Sequence, residues 1–380
     1  MEAARIPLEK PPNPRAAGSP EPGSVSRLSP LRSVEGFLDT EADGQLYDLQ
    51  IADWQEGKPK FDKSVGEVWT SVVTLEDDSR YVFRKTVPLE QAWETSVDFS
   101  PPLATRVNGF NTYIARQLSK RGMHSRIVGT NQSHNFNLLH DAQATLHILN
   151  EDDRRQERPG RQTSAPGESL MIGYSMGQMK ELAELGLAPA MGRDIVASIG
   201  LDPCLGEKVD YGQELRNLGC SLKLLNYLGR EALEIPKGVI SSLFEERDPV
   251  RTLLRIRHLA GTAGLSPAYF SNIADKWKVL ATGETGKYLD KIPNDAIIVI
   301  HFFKDSYFND SEFFESALGG RPFFRPIEED GLHLSGARSS VVRAVAEHAR
   351  LALELREQNA GRAEIADALD TPILTGAGDI

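Results

Sequence analysis

Residues 169–177 read SLMIGYSMG, and this stretch decides the fold. Its apolar run at 170–172 is typical of a short buried strand, and residues 178–185, QMKELAEL, have the pattern of a helix. Between them, Gly-x-Ser-x-Gly predicts a sharp turn with Ser175 exposed at its tip and the helix N-terminus pointing at the serine. We expect glycine at 173 and 177 because a Cβ there would clash close to the serine across the turn.

A strand–turn–helix unit of this kind is a nucleophile elbow, in which a serine in a strained backbone conformation is the attacking group. The five-residue pattern alone occurs by chance, since glycine and serine are common residues. The apolar strand before it and the helix after it favour the catalytic interpretation over an ordinary serine in a turn. Ser175 is therefore the predicted nucleophile.

Composition bounds the class of protein. The chain has 380 residues, 40% of them hydrophobic, which suits one large α/β domain with decorations or two domains. Its net charge of −11 argues against a general nucleic-acid or anionic-membrane binder, because neither polyanion is attracted to an acidic protein. We expect no nucleic-acid partner, although a local basic patch is not excluded.

Cysteine usage and hydropathy bear on cofactors and compartment. The chain has 2 cysteines, Cys204 and Cys220, and neither lies in a Cys-x-x-Cys pair, so we expect no metal site and no disulfide framework. The N-terminus lacks an apolar core of signal-peptide length, and no stretch reaches the roughly 18 apolar residues that a membrane helix needs. These features predict a soluble, cytoplasmic protein with no transmembrane segment.

The sequence divides into five segments. Residues 1–34 are rich in Pro, Ser, Gly and Arg and predict a disordered N-terminal tail, because they cannot bury enough apolar surface to offset their ordering entropy. Residues 35–205 are the N-terminal part of the core, 206–290 a helical cap and 291–358 the C-terminal part of the core. Residues 359–380 are rich in small side chains and predict a flexible tail.

The order of elements predicts an α/β sheet. Strand-like runs at 68–75 and 81–87 flank turn residues and predict an antiparallel hairpin. Strands and helices then alternate, which favours a mostly parallel sheet flanked by helices. The predicted strands of this second part lie at 101–107, 125–129, 170–174, 194–201, 296–301 and 325–327, and a long helix at 339–358 closes the core.

A serine hydroxyl is a poor nucleophile until a base, usually an imidazole oriented by a carboxylate, takes its proton. His333 lies in a Gly-Leu-His-Leu loop just after a predicted strand and is the predicted base, whereas His348 lies within a regular helix and is expected at the surface. Asp305 follows the most apolar strand of the second half and is the first candidate for the acid. Asp202, which ends the strand after the elbow unit, is a serious competitor, and Asp310 is a third.

An oxyanion hole needs two N–H groups directed at the position where negative charge develops. The first is expected from the backbone amide of Met176, the residue after the nucleophile. The second is expected from the loop after the 101–107 strand, at Phe110 or Asn111, where Gly109 permits a close approach.

These motifs resemble those of the α/β-hydrolase fold superfamily over residues 65–355. The resemblance rests on Asn108-Gly109-Phe110, on the elbow at 173–177, on Asp305 and on the Gly-Leu-His-Leu loop at 331–334. It implies an eight-stranded, mostly parallel sheet, a helical cap after the sixth strand, and a Ser–His–Asp triad of Ser175, His333 and Asp305. Asn108 in place of a frequent histidine, and Gln178 in place of a frequent second glycine, depart from the pattern.

The resemblance implies acyl-enzyme chemistry, commonly the hydrolysis of esters, and it implies no cofactor. The predicted partner is a small-molecule ester or acyl substrate, and the oligomeric state is not readable. A catalytically silent protein that uses the fold as a binding or scaffold module is the alternative. A nucleotide-binding α/β protein ranks last, because no Gly-rich phosphate loop lies between an early strand and helix.

Overall fold

We analysed a computed structural model of the chain, which describes residues 49–63, 65–100, 109–130, 138–156, 167–203, 289–304, 306, 311–331, 335–336 and 339–374. Several predictions concern residues outside these ranges: the tail at 1–34, the cap up to residue 288, the strand at 101–107, and the residues Asp305, Asp310 and His333. They stay predictions.

One sheet runs through the described residues and contains ten strands. Their bounds are β1 Ile51–Glu56, β2 Lys60–Asp62, β3 Gly66–Leu75, β4 Arg80–Val87, β5 Ser96–Ser100, β6 Ser125–Thr130, β7 Glu168–Tyr174, β8 Asp194–Leu201, β9 Ile298–Phe303 and β10 Phe324–Glu329.

The strand order is β1-β3-β4-β6-β5-β7-β8-β9-β10, with β2 paired to β3 beside β1. Every pair from β6 to β10 is parallel, and the pairs that involve β1 to β4 are antiparallel. The predicted α/β class and mostly parallel sheet are confirmed. The sheet exceeds the expected eight strands because β1 and β2 extend its antiparallel part, where Trp54 packs edge-on against Phe83 with ring centroids 5.4 Å apart.

Six α-helices flank the sheet in the described part of the chain: α1 Gly109–Ser119, α2 Leu138–Gln156, α3 Met176–Leu187, α4 Ser311–Leu318, α5 Ser339–Glu357 and α6 Arg362–Leu369. The largest hydrophobic cluster combines α1, α5 and α6 with one face of the parallel strands. Along β7 the side chains alternate between faces. Leu170, Ile172 and Tyr174 join this cluster, whereas Gly173 contacts α3.

The structure describes a strand before α1 that the sequence does not predict. β5 spans Ser96–Ser100 and is buried throughout, and residues 101–107 lie outside the described residues. The sequence SVDFS reads poorly as a buried strand because of Asp98. In the structure the Asp98 carboxylate accepts from Arg126 Nε at 2.7 Å and from Arg193 Nη2 at 3.2 Å. Burial opposes ionisation, but the two guanidinium groups hold the pKa of Asp98 below its usual value.

The expectation of a flexible tail from residue 359 is wrong for the stretch that forms α6. Ile365, Ala366 and Leu369 of this helix are buried and join the main cluster beside α5. The small side chains that suggested mobility instead allow close helix packing, because the three buried residues fall on one face of the helix.

Candidate active site

Ser175 lies between the last residue of β7 and the first residue of α3, as the sequence predicts. Its backbone has φ 58° and ψ −127°, a conformation that residues with a Cβ rarely adopt. Such strain persists only where the surrounding structure imposes it, and it is frequent at functional sites. The strained turn therefore has the backbone geometry expected of a nucleophile elbow.

Two backbone hydrogen bonds hold the turn. The N–H of Ser175 donates to the carbonyl oxygen of Leu201, at the end of β8, at 2.9 Å, and the N–H of Gln178 donates to the carbonyl oxygen of Ser175 at 3.0 Å. The serine is 4% exposed, so it is buried in this structure, whereas the sequence predicted it exposed at the tip of the turn. The elbow is thus fixed to the carboxyl edge of the parallel strands, where α/β proteins place ligands.

Gly173 is needed for a reason that differs from the predicted one. A Cβ at this position would lie 2.1 Å from Glu181 Oε2 and 2.4 Å from the side-chain amide of Gln178, both on α3. The close approach is therefore between β7 and two side chains of the following helix.

The oxyanion-hole prediction is only partly located. Met176 is the first residue of α3, so its backbone amide is at the helix N-terminus next to Ser175. Phe110 is in the first turn of α1. Ser100, the last residue of β5, pairs with Gly173, so the segment that leads to α1 starts at the edge of the elbow. Pro101 and Pro102 begin that segment and have no N–H to donate.

Asp202 follows β8 directly and is completely buried, with φ 39°. Its Oδ1 accepts from the backbone N–H of Phe303 at 3.2 Å, and its Oδ2 accepts from the Ser306 hydroxyl at 2.5 Å. The N–H of Asp202 donates to the carbonyl oxygen of His301 at 2.8 Å. Through these contacts Asp202 connects the end of β8 with Phe303 and Ser306, which lie before and after position 305 in sequence.

Gly336, which follows His333 by three residues, lies near the elbow. A Cβ on Gly336 would be 2.8 Å from the Tyr174 ring and 3.2 Å from the Phe303 ring. A Cβ on Gly331, which has φ 152°, would be 2.9 Å from the Ser335 hydroxyl. Position 336 is thus packed against the residue that precedes the nucleophile, while His333 itself lies outside the described residues.

His348 is buried, although its helical context predicted a position at the surface. It is 9% exposed on α5, with its ring centroid 5.6 Å from that of His301 and its Nε2 3.0 Å from the Thr371 hydroxyl. Burial, and then the neighbouring His301, lower the pKa of His348 to about 4. The periodicity of α5 could have indicated this, because Val345 and Ala352, on the same helical face, are buried as well.

Helix α3 has a buried polar face that the sequence did not predict. Gln178, Lys180, Glu181 and Glu184 are each 1% exposed or less. The available signal was the pair of glycines, Gly173 on β7 and its register partner Gly200 on β8, which leave room for longer side chains from the helix.

Within the described ranges no three His, Cys, Asp or Glu side chains group as metal ligands do. None of the helices described combines the length and the apolar character that crossing a bilayer requires.

Comparisons with known proteins give likeness to solved structures alone. No protein-family model matches the chain, and no curated protein does. A hydrolase from Pseudomonas aeruginosa is 12% identical, with a TM-score of 0.48 over 75% of this chain and 98% of that one. Brefeldin A esterase, a bacterial homologue of human hormone-sensitive lipase, is 18% identical, with a TM-score of 0.46 over 88% and 89%. An esterase of Pyrococcus furiosus is 11% identical, with a TM-score of 0.45 over 78% and 90%.

The geometry of this chain itself identifies its fold. A mostly parallel sheet is flanked by helices, and a strained serine sits at the carboxyl end of a central strand and opens a helix. On these features the chain has the α/β-hydrolase fold.

Proposed function

We propose that the protein is a serine hydrolase that cleaves a carboxylic ester or a related acyl substrate. The observation that carries the proposal is the backbone of Ser175, which adopts φ 58° between β7 and α3. An ordinary turn gains nothing from placing a serine in this conformation, where glycine is free of strain. A nucleophile elbow gains a hydroxyl that projects from the sheet edge beside a helix N-terminus.

In the proposed mechanism, His333 takes the proton of the Ser175 hydroxyl as the oxygen attacks the acyl carbon. The backbone N–H of Met176 stabilises the oxyanion of the tetrahedral intermediate, and the N–H of Phe110 is the proposed second donor. His333 then gives its proton to the leaving alcohol, which leaves an acyl-enzyme. Water, activated by the same histidine, releases the acid and restores Ser175.

Asp305 is the proposed acid that orients His333. Asp305 follows β9. The structure describes the residues on either side of it in sequence, Lys304 and Ser306. Asp202 is the competing acid, since it is buried at the end of the adjacent strand. Its contacts with Phe303 and Ser306 suit a residue that holds the described residues on either side of position 305 in place.

The experiment that tests the function is labelling of the purified full-length chain with a fluorophosphonate, beside hydrolysis of p-nitrophenyl esters of several chain lengths. We expect the wild type to be labelled and to hydrolyse an ester, and Ser175→Ala and His333→Ala to do neither. Thermal unfolding of each variant shows whether a loss reflects chemistry or misfolding. A wild type that is inert to the probe and to every ester would overturn the hydrolase and favour the silent scaffold protein.

A further inference from the structure

The first two turns of α3 bury polar side chains directly behind the nucleophile. A helix that packs on a sheet normally buries an apolar stripe, because unpaired polar groups are costly away from water. Here Gln178 and Glu181 are completely buried, and Lys180 and Glu184 almost so. Such an arrangement is retained only if each group finds a partner.

Gln178 and Glu181 find their partners on the strands beneath the helix. With the Gln178 amide oriented to satisfy its hydrogen bonds, its nitrogen donates to the carbonyl oxygen of Gly173 at 3.3 Å and to Glu181 Oε2 at 3.0 Å. Glu181 Oε1 is hydrogen bonded to the hydroxyl of Ser198, on β8, at 2.7 Å. The two side chains thus connect α3 with both β7 and β8.

The strands are shaped to receive these side chains. Gly173 and Gly200 are register partners across the β7–β8 pair. A Cβ on Gly173 would be 2.1 Å from Glu181 Oε2, and a Cβ on Gly200 would be 2.4 Å from Gln178 Cδ. Glycine at both positions therefore lets the polar side chains lie against the backbone just before the turn that contains Ser175.

We propose that Gln178 and Glu181 are positioning residues for the nucleophile, which fasten α3 to Gly173 and Ser198 and so fix the angle at which Ser175 leaves the sheet. This inference rests on the proposed function, since it assigns the two residues a role in the reaction of that serine. Neither residue touches the substrate. Each acts through the backbone of the elbow.

The charge state of Glu181 makes the role measurable. Burial raises the pKa of Glu181 well above its usual value, the hydrogen bond from Ser198 opposes this, and Glu184 adds to it. Lys180, on the same helix, lowers the pKa of Glu181, and Asp98 on β5 raises it. The facing group on β7 is the uncharged backbone of Gly173.

A neutral Glu181 fits its surroundings, because a protonated carboxyl and the Ser198 hydroxyl can share one hydrogen bond in either direction. An ionised Glu181 places an additional negative charge in a buried region that already contains Glu184 and Asp98. We expect this repulsion to disturb the packing of α3 on β7. The reactivity of Ser175 should therefore decline with rising pH as Glu181 ionises, which gives the pH profile an alkaline limb.

The test is the rate constant for fluorophosphonate labelling of the full-length chain as a function of pH. Glu181→Gln keeps the shape and cannot ionise, so it should react at close to the wild-type rate at pH values below the decline and lose the alkaline decline. Glu181→Ala and Gln178→Ala should react more slowly, on the order of tenfold to a hundredfold, because the nucleophile is less well positioned. The acid side of the profile reports the general base and should be the same in every variant.

Glu184→Gln is the matched control. Glu184 lies one helical turn further along α3 and contacts Lys180 at 2.8 Å and the Ser100 hydroxyl at 3.5 Å, rather than the elbow strand. This variant should lose thermal stability and keep an alkaline decline, which moves to lower pH because Glu184 no longer raises the pKa of Glu181. If an alanine variant does not fold, Glu181→Gln against Glu184→Gln still decides the matter.

Each outcome has a definite meaning. A labelled wild type whose alkaline decline persists unchanged in Glu181→Gln overturns this inference and leaves the proposed function standing. Equal loss of the decline in Glu184→Gln overturns it as well, because the effect would then be one of general burial. A wild type that is not labelled at any pH overturns the proposed function, and this inference with it.

Discussion

The carboxylate of Asp202 accepts a hydrogen bond from the Ser306 hydroxyl at 2.5 Å. This contact joins the end of β8 to the residue that follows position 305. The same strand end accepts the N–H of Ser175 through the carbonyl oxygen of Leu201 at 2.9 Å. Leu201 and Asp202, which are adjacent in sequence, therefore connect the elbow with a residue next to the proposed acid.

The two aspartates should differ in what their loss does to the reaction. Asp305→Asn should lower kcat by about four orders of magnitude, because the asparagine no longer holds the histidine in the reactive tautomer. Asp202→Asn should lower kcat much less, since its Oδ1 can still accept from the Phe303 N–H and its amide can face the Ser306 hydroxyl. Ester hydrolysis by both variants, with Ser306→Ala as the control for the turn, measures this. A larger loss in Asp202→Asn than in Asp305→Asn would make Asp202 the acid.

Replacement of the strained serine should separate stability from activity. Ser175→Gly and Ser175→Ala should both abolish labelling and hydrolysis. Only Ser175→Gly relieves the strain of φ 58°. Because the conformational entropy of glycine in the unfolded chain offsets part of this relief, we expect Ser175→Gly to be more stable than Ser175→Ala by about 1 kcal/mol. Urea unfolding of the two variants gives the difference. Equal stabilities would mean that the backbone at this turn is not strained.

Gly173→Ala should be strongly destabilising. The new Cβ would lie 2.1 Å from Glu181 Oε2, and the side chain on α3 has no open space to which it can move. Overpacking of this kind costs about 1–3 kcal/mol. Gly320→Ala is the control, because a Cβ there meets nothing within 4 Å and we expect a change within about 0.5 kcal/mol. Denaturant unfolding of both variants tests the contact, which similar values would contradict.

His348 should make the protein less stable on mild acidification. Its pKa is about 4 in the folded chain and about 6.5 when unfolded, so between these values the unfolded state binds more protons and stability rises with pH. The contribution is complete above about pH 6.5 and lost as the pH falls towards 4, with a span of up to about 3 kcal/mol. His348→Phe should flatten this part of the stability profile.

The control for that profile is His140→Gln, which removes a half-buried histidine whose pKa is shifted in the opposite direction. Although burial lowers it, hydrogen bonds to Asp141 and Asp77 raise the pKa of His140. Its contribution is present at low pH and lost as the pH rises, so its removal should leave the acid-side slope in place. A slope that persists in His348→Phe would show that other groups produce it.

The elements that the sequence predicts best are those with one strong pattern. The apolar run before Ser175, the Gly-x-Ser-x-Gly turn and the helix after it all satisfy local rules, and the structure places them as expected. β5 was missed because Asp98 breaks its hydrophobic pattern, and only the fold brings Arg126 and Arg193 to that carboxylate. Local patterns cannot show pairing between residues far apart in sequence.

The candidate site shows the same limit. The pattern around the elbow identifies Ser175, but the local pattern of α3 does not distinguish Gln178 and Glu181 from solvent-exposed residues of an ordinary helix. Residues 177–185 of α3 are all buried, so the burial of these two side chains depends on how the whole helix is enclosed in the fold. The residue types and order of the histidine and aspartate candidates were readable, while the choice between Asp305 and Asp202 depends on distances that the sequence does not contain.

Helix α6 provides a test of how far the core extends towards the C-terminus. Ile365 is 2% exposed and belongs to the main hydrophobic cluster, so Ile365→Ala should remove about 2–5 kcal/mol from the free energy of unfolding. Glu364, its neighbour in the same helix, is exposed, and Glu364→Ala should change stability by no more than about 0.5 kcal/mol. Denaturant unfolding of the two variants distinguishes a helix that is part of the core from a tail that is not. If Ile365→Ala is as stable as Glu364→Ala, α6 does not contribute to the folded core, and the flexible tail that the sequence suggested would be the better description.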